Sequence, residues 1–374
     1  MRILIVKLSS LGDLIHTFPA LTDAATTLPQ ARFDWIVDHN FAEVPAWHPA
    51  VSQTQSLPLR RCQQHWQTVI KLARSVRTLR SLTYDLIIDA QGLIKSALAA
   101  RLVRGPVVGY DRHSIREPLA SHSYQQPYSV PRNWHAIRRI RSLFAQALGY
   151  PMPDTLPDYG LTMRKAVTTS NNILLLHGAS WPNKLWPMHY WVELIRLIGS
   201  DAQVLLPGHT PEEQARAYQI VQQAGSGRVL PPLDLNALRQ QITDCRGVVG
   251  LDSGLAHLAA ALNIPAVTLY GPTQVSLSGA IGAYQCNLHS DFGCAPCLRR
   301  TCDYTGPAAV QPACFAKLTP VQVWTQLQHN MKCVAQGQDN AHHDDSSGLW
   351  PNQSTGHVCG MGSASFSANR DTSA

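Results

Sequence analysis

An acidic residue and two small residues separate a strand-like run from a helix-like run at 247–262. The strand-like run ends at Asp252, Ser253 and Gly254 open the helix, and His257 lies one turn further along. Free N–H groups and the dipole at a helix start suit an anion, above all a phosphate. We therefore predict a phosphate-binding site at these residues. A plain helix cap by Asp252 or Ser253 is the alternative.

Two further loops follow strand-like runs and carry groups that suit a nucleotide sugar. One holds Lys184, a point charge that can neutralise a diphosphate. The other holds Glu212 and Glu213, which can accept hydrogen bonds from sugar hydroxyls or close a capping box. Because the carboxyl ends of parallel strands meet at one sheet edge, we expect both loops beside Asp252. The sequence contains no G-x-G-x-x-G and no P-loop, which argues against dehydrogenases and kinases.

Asp13 stands at another candidate helix start, after the apolar run MRILIV and the stretch KLSSLG. A carboxylate beside a helix N-terminus stays ionised at neutral pH, which suits a general base. In a two-domain α/β protein this edge of the first domain faces the interdomain cleft. A base in one domain and an anion site in the other predict a transferase. The anion site would hold a phosphorylated donor, and the base would take a proton from the acceptor that receives the transferred group. Helix capping is the alternative for Asp13.

The elements that must position these residues alternate between strand and helix patterns. The predicted strands cover residues 2–8, 33–37, 85–89, 106–109, 172–177, 202–207, 247–251 and 266–270. Apolar runs separated by helices are typical of parallel sheets buried on both faces. The proline-rich stretch 150–162 is the candidate linker. The sequence therefore predicts an α/β fold of two Rossmann-like, doubly wound domains facing a cleft, at 1–155 and 156–336.

Length and composition agree with such a protein. The chain has 374 residues, of which 45% are hydrophobic and 15% charged, as in soluble globular proteins. No apolar run reaches the roughly 18–20 residues of a membrane-spanning helix, and no cleavage site follows the first run. We therefore expect a cytoplasmic protein. A terminal helix should begin at Thr319 and Pro320, and the polar composition of 337–374 predicts a disordered tail.

Positive charge is concentrated in the first half of the chain. Residues 1–160 hold 18 Lys and Arg against 11 Asp and Glu, which accounts for the net charge of +7. The basic side chains recur along a helical pattern at 66–79 and in two further groups: Lys71, Arg74, Arg77 and Arg80; Arg60 and Arg61; and Arg132, Arg138, Arg139 and Arg141. Amphipathic basic helices suit an anionic membrane surface or a phosphorylated lipid, and a solvated face is the alternative. No motif or aromatic interleaving points to nucleic acid.

Four of the nine cysteines follow the pattern C-x2-C-x4-C-x11-C, at Cys294, Cys297, Cys302 and Cys314. C-x2-C is half of a zinc-site signature, but the second half has the wrong spacing for a ribbon and no histidine completes it. A packed, thiol-rich loop is the alternative. Without a secretory signal, we expect reduced thiols rather than a disulfide framework.

Several longer motifs resemble one family. They are KLSSLGDLIHTFPALTDA (7–24), DAQGLIKSALAARL (89–102), REPLAS (116–121), the loop at 177–184 and LDSGLAHLAAAL (251–262). Together they resemble the bacterial lipopolysaccharide heptosyltransferases of glycosyltransferase family 9, above all the branch that adds the first heptose to the inner core. The resemblance spans about residues 1–335. It implies a two-domain GT-B glycosyltransferase fold, ADP-heptose as donor, Kdo2-lipid A as acceptor and inversion at the anomeric carbon. It also implies no cofactor and no obligatory metal, in agreement with the lack of an Asp-x-Asp motif.

The resemblance also implies roles for individual residues. Asp13 would be the general base. The donor-binding residues would be Ser180, Lys184, Glu212, Leu233, Asp252, Ser253, Gly254 and His257, and the acceptor-binding residues Ser10, Arg60, Arg61 and Arg116. The stretch ASWPNK departs from the family pattern, because Ala179 supplies no hydroxyl there, and Leu233 stands where the family pattern has methionine.

Three functions remain in view at this point. The first is heptose transfer to Kdo2-lipid A by an enzyme held peripherally on the cytoplasmic face of the inner membrane. The second is a related heptosyltransferase that acts on an already heptosylated core. The third is a two-domain nucleotide-sugar-binding protein without catalysis, which has no use for an ionised Asp13.

Overall fold

The computed structural model describes residues 1–58, 75–161 and 170–336. Some of the predictions fall outside these residues, namely those for the tail at 337–374, most of the basic helix at 66–79, Arg60, Arg61, Lys71 and Arg74. Residues 75–81 are helical. No helix in the described ranges has the length and the apolar content needed to cross a lipid bilayer.

Six parallel strands form the first sheet. They are β1 (Arg2–Val6), β2 (Arg32–Asp38), β3 (Val51–Leu57), β4 (Leu86–Asp89), β5 (Val107–Tyr110) and β6 (Gln126–Tyr128), in the spatial order β3-β2-β1-β4-β5-β6. Besides residues 75–81, the described α-helices of this half are α1 (Leu11–Ile15), α2 (Phe18–Thr27), α3 (Ile94–Arg101) and α4 (Ala136–Leu148). The strand order reverses between β1 and β4, and ligands of doubly wound proteins bind at the carboxyl ends of such a pair. Asp13 follows β1 directly.

The second half repeats this architecture. Its strands are β7 (Asn172–Leu176), β8 (Gln203–Leu206), β9 (Arg228–Val229), β10 (Gly247–Leu251), β11 (Ala266–Tyr270) and β12 (Gln285–His289), in the order β12-β11-β10-β7-β8-β9. Its helices are α5 (Met188–Ile198), α6 (Pro211–Ala224), α7 (Leu235–Asp244), α8 (Gly254–Ala261), α9 (Val275–Ser278) and α10 (Pro320–Ala335). Here the order reverses between β7 and β10, the strands that lead to Lys184 and Asp252.

The predicted α/β fold of two doubly wound units is therefore confirmed, because each half contains one parallel sheet. The central strands are buried on both faces, as their apolar runs require, and each buried Ile, Leu or Val contributes roughly 1.5–3 kcal/mol. The predicted strand ends lie within two residues of the observed ones. The start of α10 is also as predicted, with the Thr319 hydroxyl accepting a hydrogen bond from the Gln322 N–H. The domain boundary at 155/156 stays a prediction.

The predicted set lacks the strands β3, β6, β9 and β12. All four are the outermost strands of the two sheets, where a strand has a neighbour on one side only and polar residues are tolerated. The sequence of β3, VSQTQSL, shows the consequence, since it contains no continuous apolar run. Their assignment comes from hydrogen bonding to a neighbouring strand.

One of the predicted basic groups is not a free cationic surface. Arg141 is completely buried and forms a salt bridge with Asp23, with 2.6 Å between Nε and Oδ2. Arg139 donates a hydrogen bond to the Ser114 carbonyl oxygen, and Arg138 stacks on Trp134. These side chains hold α4 in the first domain, because burial of a guanidinium requires partners of this kind.

Candidate active site

The two domains meet through the helices α1 and α8, and the contact is close because each helix has a glycine in its first turn, Gly12 in α1 and Gly254 in α8. A Cβ atom on Gly254 would lie 2.6 Å from the Leu11 Cβ and 2.9 Å from the Gly12 nitrogen. A Cβ atom on Gly12 would lie 3.0 Å from the His257 Cδ2. The lack of a Cβ at Gly254 therefore lets α1 of the first domain approach the start of α8. The role of Gly254 in donor binding stays a prediction.

Asp252 connects the two donor-side loops of the second domain. Its Oδ2 lies 2.7 Å from the Lys184 Nζ, and its Oδ1 lies 3.5 Å from the His257 Nε2. The Asp252 carboxylate therefore pairs with Lys184 and His257, and Ser253 occupies the N-cap position without a side-chain cap hydrogen bond. Burial by itself would raise the pKa of Asp252, but the His257 hydrogen bond and the Lys184 charge together lower this pKa far below its ordinary value.

The turn that carries Lys184 (Pro182–Lys184) is fixed from several sides. The Lys184 Nζ donates a hydrogen bond to the Asp252 carbonyl oxygen and lies 4.8 Å from the centre of the Trp181 ring. Asn183 is buried, and its N–H groups donate to the carbonyl oxygens of Arg299 and Arg300. The cation is thus held at the carboxyl end of β7, at the switch point of the second sheet.

Asp13 occupies the first turn of α1 and has two sets of contacts. Its Oδ2 accepts hydrogen bonds from the Ser10 N–H and the Ser10 hydroxyl, both at 2.8 Å. Its Oδ1 lies 3.7 Å from the Lys7 Nζ. Asp13 therefore does cap the helix, as the alternative predicted, because it accepts a hydrogen bond from the Ser10 N–H at the helix start. The side chain is still 46% exposed, so one carboxylate can cap the helix and meet a substrate.

Lys7 is buried beneath Asp13 at the end of β1. Its Nζ donates a hydrogen bond to the Ala90 carbonyl oxygen at 3.0 Å. Burial lowers the pKa of Lys7, and the nearby carboxylates of Asp13 and Asp89 partly oppose that effect. Lys7 had no predicted role. Its position directly after a buried strand and next to KLSSLG was the available signal.

Three buried histidines line the seam between the domains. The His16 Nε2 lies 3.2 Å from the His257 Nδ1, and the His135 Nε2 lies 2.9 Å from the Gly279 carbonyl oxygen. Both contacts join the first domain to the second. Burial lowers the pKa of His135 to about 4 and the pKa of His16 well below its ordinary value. The sequence pointed to His257 but not to His16 or His135. His16 lies inside the motif at 7–24, but nothing in the local sequence pairs either histidine with the second domain.

The remaining predicted site residues lie at different depths. Ser180 and Arg116 are exposed, and Leu233 is half-buried against a hydrophobic cluster that contains residues of both domains. Glu212 is exposed at the start of α6, whereas Glu213 closes the capping box with Thr210. A Cβ atom on Gly178 would lie 2.7 Å from the Glu213 Oε1, so Glu213 is the glutamate that adjoins the Lys184 loop.

The cysteine pattern does not form a metal centre in the structure. Cys294, Cys297, Cys302 and Cys314 all line one cavity of about 460 Å³, and none of them forms a disulfide. Burial, followed by the neighbouring thiols, raises the pKa of Cys314 to about 12. Among the described residues, no three His, Cys, Asp or Glu side chains are grouped so that they could hold a metal ion. The described residues therefore give no support to the zinc hypothesis, and the cysteines surround a cavity in which only Cys314 is buried.

Comparison with known proteins places this geometry in a family. The sequence pattern of glycosyltransferase family 9 (heptosyltransferase) matches residues 72–307. The chain is 44% identical to lipopolysaccharide heptosyltransferase 1 of Pseudomonas aeruginosa over 345 residues, which is 88% of this chain and 97% of that protein. It is also similar to solved structures of the E. coli heptosyltransferase WaaC. The structure with ADP has a TM-score of 0.77 at 34% identity, and the structure with ADP-2-deoxy-2-fluoro heptose has 0.74. Each comparison covers 88% of this chain and 100% of the other. The chain thus has the GT-B fold and belongs to glycosyltransferase family 9, the heptosyltransferases.

Proposed function

We propose that this heptosyltransferase moves L-glycero-D-manno-heptose from ADP-heptose to the Kdo of Kdo2-lipid A, with inversion at the anomeric carbon. The observation that carries the proposal is the contact between α1 and α8, which joins the Asp13 helix to the unit of Lys184, Asp252 and His257. A carboxylate on one side and a cation with helix-start amides on the other are what sugar transfer from a diphosphate requires. The relatives named above support the heptose donor.

On the donor side, we assign the diphosphate to Lys184 and to the N–H groups at the start of α8. The first N–H groups of a helix have no intrahelical acceptor and point towards an anion. Lys184 already lies against these residues through Asp252, so little reorganisation is needed for both to meet one diphosphate. Ser180 adjoins this turn. Glu212, or Glu213 beside Gly178, and Leu233 would contact the nucleoside.

On the acceptor side, Asp13 takes the proton from the attacking Kdo hydroxyl. The hydroxyl oxygen forms the new bond to the anomeric carbon while the bond from that carbon to the phosphate oxygen breaks. The proton passes to Asp13, and the negative charge of the departing ADP is stabilised by Lys184 and the α8 amides. Attack from the face opposite the leaving group inverts the anomeric carbon. Ser10 and Lys7 hold the Asp13 carboxylate in place.

The acceptor is a lipid, and we therefore propose that the enzyme works at the cytoplasmic face of the inner membrane. Arg116 is exposed in the acceptor-side domain and is assigned to the anionic acceptor, with Arg60 and Arg61. The excess of positive charge in residues 1–160 agrees with an anionic membrane surface.

The test is a transfer assay with purified protein, ADP-heptose and Kdo2-lipid A, in which the product is weighed by mass spectrometry. We expect a product heavier than the acceptor by one heptose, and release of ADP only when the acceptor is present. A parallel assay contains an already heptosylated core acceptor. If heptose is transferred only to the already heptosylated core, the acceptor is that core and not Kdo2-lipid A. Donor binding without transfer to either acceptor would contradict catalysis.

A further inference from the structure

Three large apolar side chains project from the first domain on two neighbouring elements. On α3, Ile94 is 42% and Leu98 is 62% exposed, and Leu119 is 70% exposed on the adjoining turn, Pro118–Ser123. The turn packs against α3, and the Glu117 carboxylate accepts a hydrogen bond from the Ile94 N–H at 2.7 Å. Single exposed apolar side chains are ordinary on a protein surface, but three on packed elements indicate an interaction site.

The exposed side of α3 combines apolar and basic residues. Ile94, Leu98 and Arg101 follow the spacing i, i+4, i+7 and so share one face, with Lys95 beside them, and all four are exposed. The sequence of α3, IKSALAAR, contains no acidic residue. We define the α3 surface as Ile94, Lys95, Leu98, Arg101 and Leu119. The α3 surface therefore combines two positive charges with three exposed apolar side chains.

The α3 surface is rigidly connected to the loop that carries Asp13. Gln91, which precedes α3, accepts hydrogen bonds from the Leu8 and Ser9 N–H groups and donates one to the Ser9 carbonyl oxygen. Asp89 fixes the same segment, because its carboxylate accepts hydrogen bonds from the Gln91 N–H and the Ser96 hydroxyl. The start of α3 therefore lies at the carboxyl edge of the first sheet, beside the acceptor side of the candidate site.

We propose that the α3 surface docks the enzyme onto an anionic lipid bilayer. Leu98, Leu119 and Ile94 enter the interfacial layer, while Lys95 and Arg101 meet the lipid phosphates. The proposal rests on the proposed function, since a lipid-anchored acceptor presents its sugar at the bilayer surface. Charge complementarity and the continuity of this surface with the Asp13 loop favour a bilayer over a second copy of this positively charged chain.

The experiment measures co-sedimentation of the full chain with vesicles of phosphatidylcholine alone or with added phosphatidylglycerol. We expect binding to the anionic vesicles and much weaker binding to the neutral ones. The double variant Leu98→Ser/Leu119→Ser should bind the anionic vesicles about tenfold more weakly, because two leucines no longer enter the interface. The variant Lys95→Gln/Arg101→Gln should lose roughly fivefold per charge, and only with phosphatidylglycerol present.

Matched controls change exposed residues of the second domain, Leu197→Ser/Val321→Ser and Arg228→Gln/Lys332→Gln. These controls should bind like the unchanged chain, and equal losses in them would overturn the proposal.

Turnover of a deacylated, water-soluble Kdo acceptor separates docking from catalysis. Leu98→Ser/Leu119→Ser should keep this turnover and its melting temperature but lose turnover of vesicle-borne acceptor. The unchanged chain could also be a dimer that Leu98→Ser/Leu119→Ser dissociates while vesicle binding stays the same. That result would show that the α3 surface binds a second copy and would refute bilayer docking. If the full chain does not bind anionic vesicles but still transfers heptose, bilayer docking by the α3 surface is refuted and the proposed function is unaffected.

Discussion

The Nε2 atom of His16 lies 3.2 Å from the Nδ1 atom of His257, and this hydrogen bond crosses from the first domain to the second. The other nitrogen of His257 faces Asp252, which in turn pairs with Lys184. One chain of polar contacts therefore connects α1 with the donor-side cation. Because burial lowers the pKa of His16 well below its ordinary value, this histidine is neutral at physiological pH. It can donate to His257 and so hold the His257 tautomer that donates to Asp252.

The first prediction concerns His16 as a positioning residue. His16→Phe keeps the ring but removes the hydrogen bond, and we expect kcat/KM to fall about 3- to 10-fold, the usual net value of one such bond. His16→Gln should recover part of the loss. The pH profile of kcat/KM should also change in His16→Phe, because the variant removes the His16 ring, whose pKa burial lowers. His48→Phe is the matched control, since His48 bonds to Thr22 within the first domain. A profile shift in both variants would indicate a merely structural role.

The second prediction concerns the base. Asp13→Asn removes the proton acceptor but keeps an oxygen for the Ser10 N–H, so the helix start should persist. We expect kcat to fall by about 10²–10⁴ while the Kd for ADP measured by calorimetry barely changes. Asp38→Asn, which changes a loop-capping carboxylate at the end of β2, should keep most of the turnover. High residual turnover with weakened ADP binding would identify Asp13 as a structural cap.

The third prediction concerns the donor cation. Lys184→Gln removes the charge that faces both Asp252 and the proposed diphosphate, and we expect ADP to bind roughly 10- to 100-fold more weakly. The dependence of ADP affinity on salt should also become shallower, since a charge pair is lost. Lys317→Gln is the control, because Lys317 forms an exposed ion pair with Asp291. Unchanged ADP affinity in Lys184→Gln would rule out the assigned role.

The fourth prediction concerns pH and stability. Burial lowers the pKa of His135 from 6.5 to about 4, so the folded chain binds this proton less readily than the unfolded chain. The contribution of neutral, buried His135 to the free energy of unfolding is therefore complete above pH 6.5. It is lost as the pH falls towards 4, and the loss is at most about 3 kcal/mol. Urea denaturation across this range should show the decline. His135→Gln should have a shallower pH dependence, and an unchanged slope would count against burial of the neutral ring.

The fifth prediction concerns the contact between the domains. Gly254→Ala places a Cβ 2.6 Å from the Leu11 Cβ, so α1 and α8 must separate. We expect a larger radius of gyration by small-angle scattering, a loss of about 1–3 kcal/mol in stability and a reduced kcat. Gly293→Ala adds a methyl group where no atom lies within 4 Å and should leave all three quantities unchanged. An unaltered scattering profile in Gly254→Ala would mean that the contact adjusts without domain movement.

The sequence by itself determined the fold class and most of the chemistry-bearing loops. Central strands such as β1 and β10 are buried on both faces and must be continuously apolar, so their positions can be read from the residues alone. The loops after β1, β7 and β10 then follow, because parallel strands bring their carboxyl ends to one edge. Edge strands such as β3 could not be predicted in this way, because they are defined by hydrogen bonds to a neighbouring strand and not by a run of apolar residues.

Only the tertiary structure decided which groups face each other. The contact of Gly254 with Leu11 and the bond between His16 and His257 are set by how the two domains pack against each other. The Lys7 and Asp13 pair is set by the turn between β1 and α1 and by the burial of Lys7. No local periodicity encodes an encounter across 241 residues of chain, as between His16 and His257. Local sequence therefore gives the loops and their chemistry, whereas long-range packing gives the pairs and the pKa values that their burial imposes.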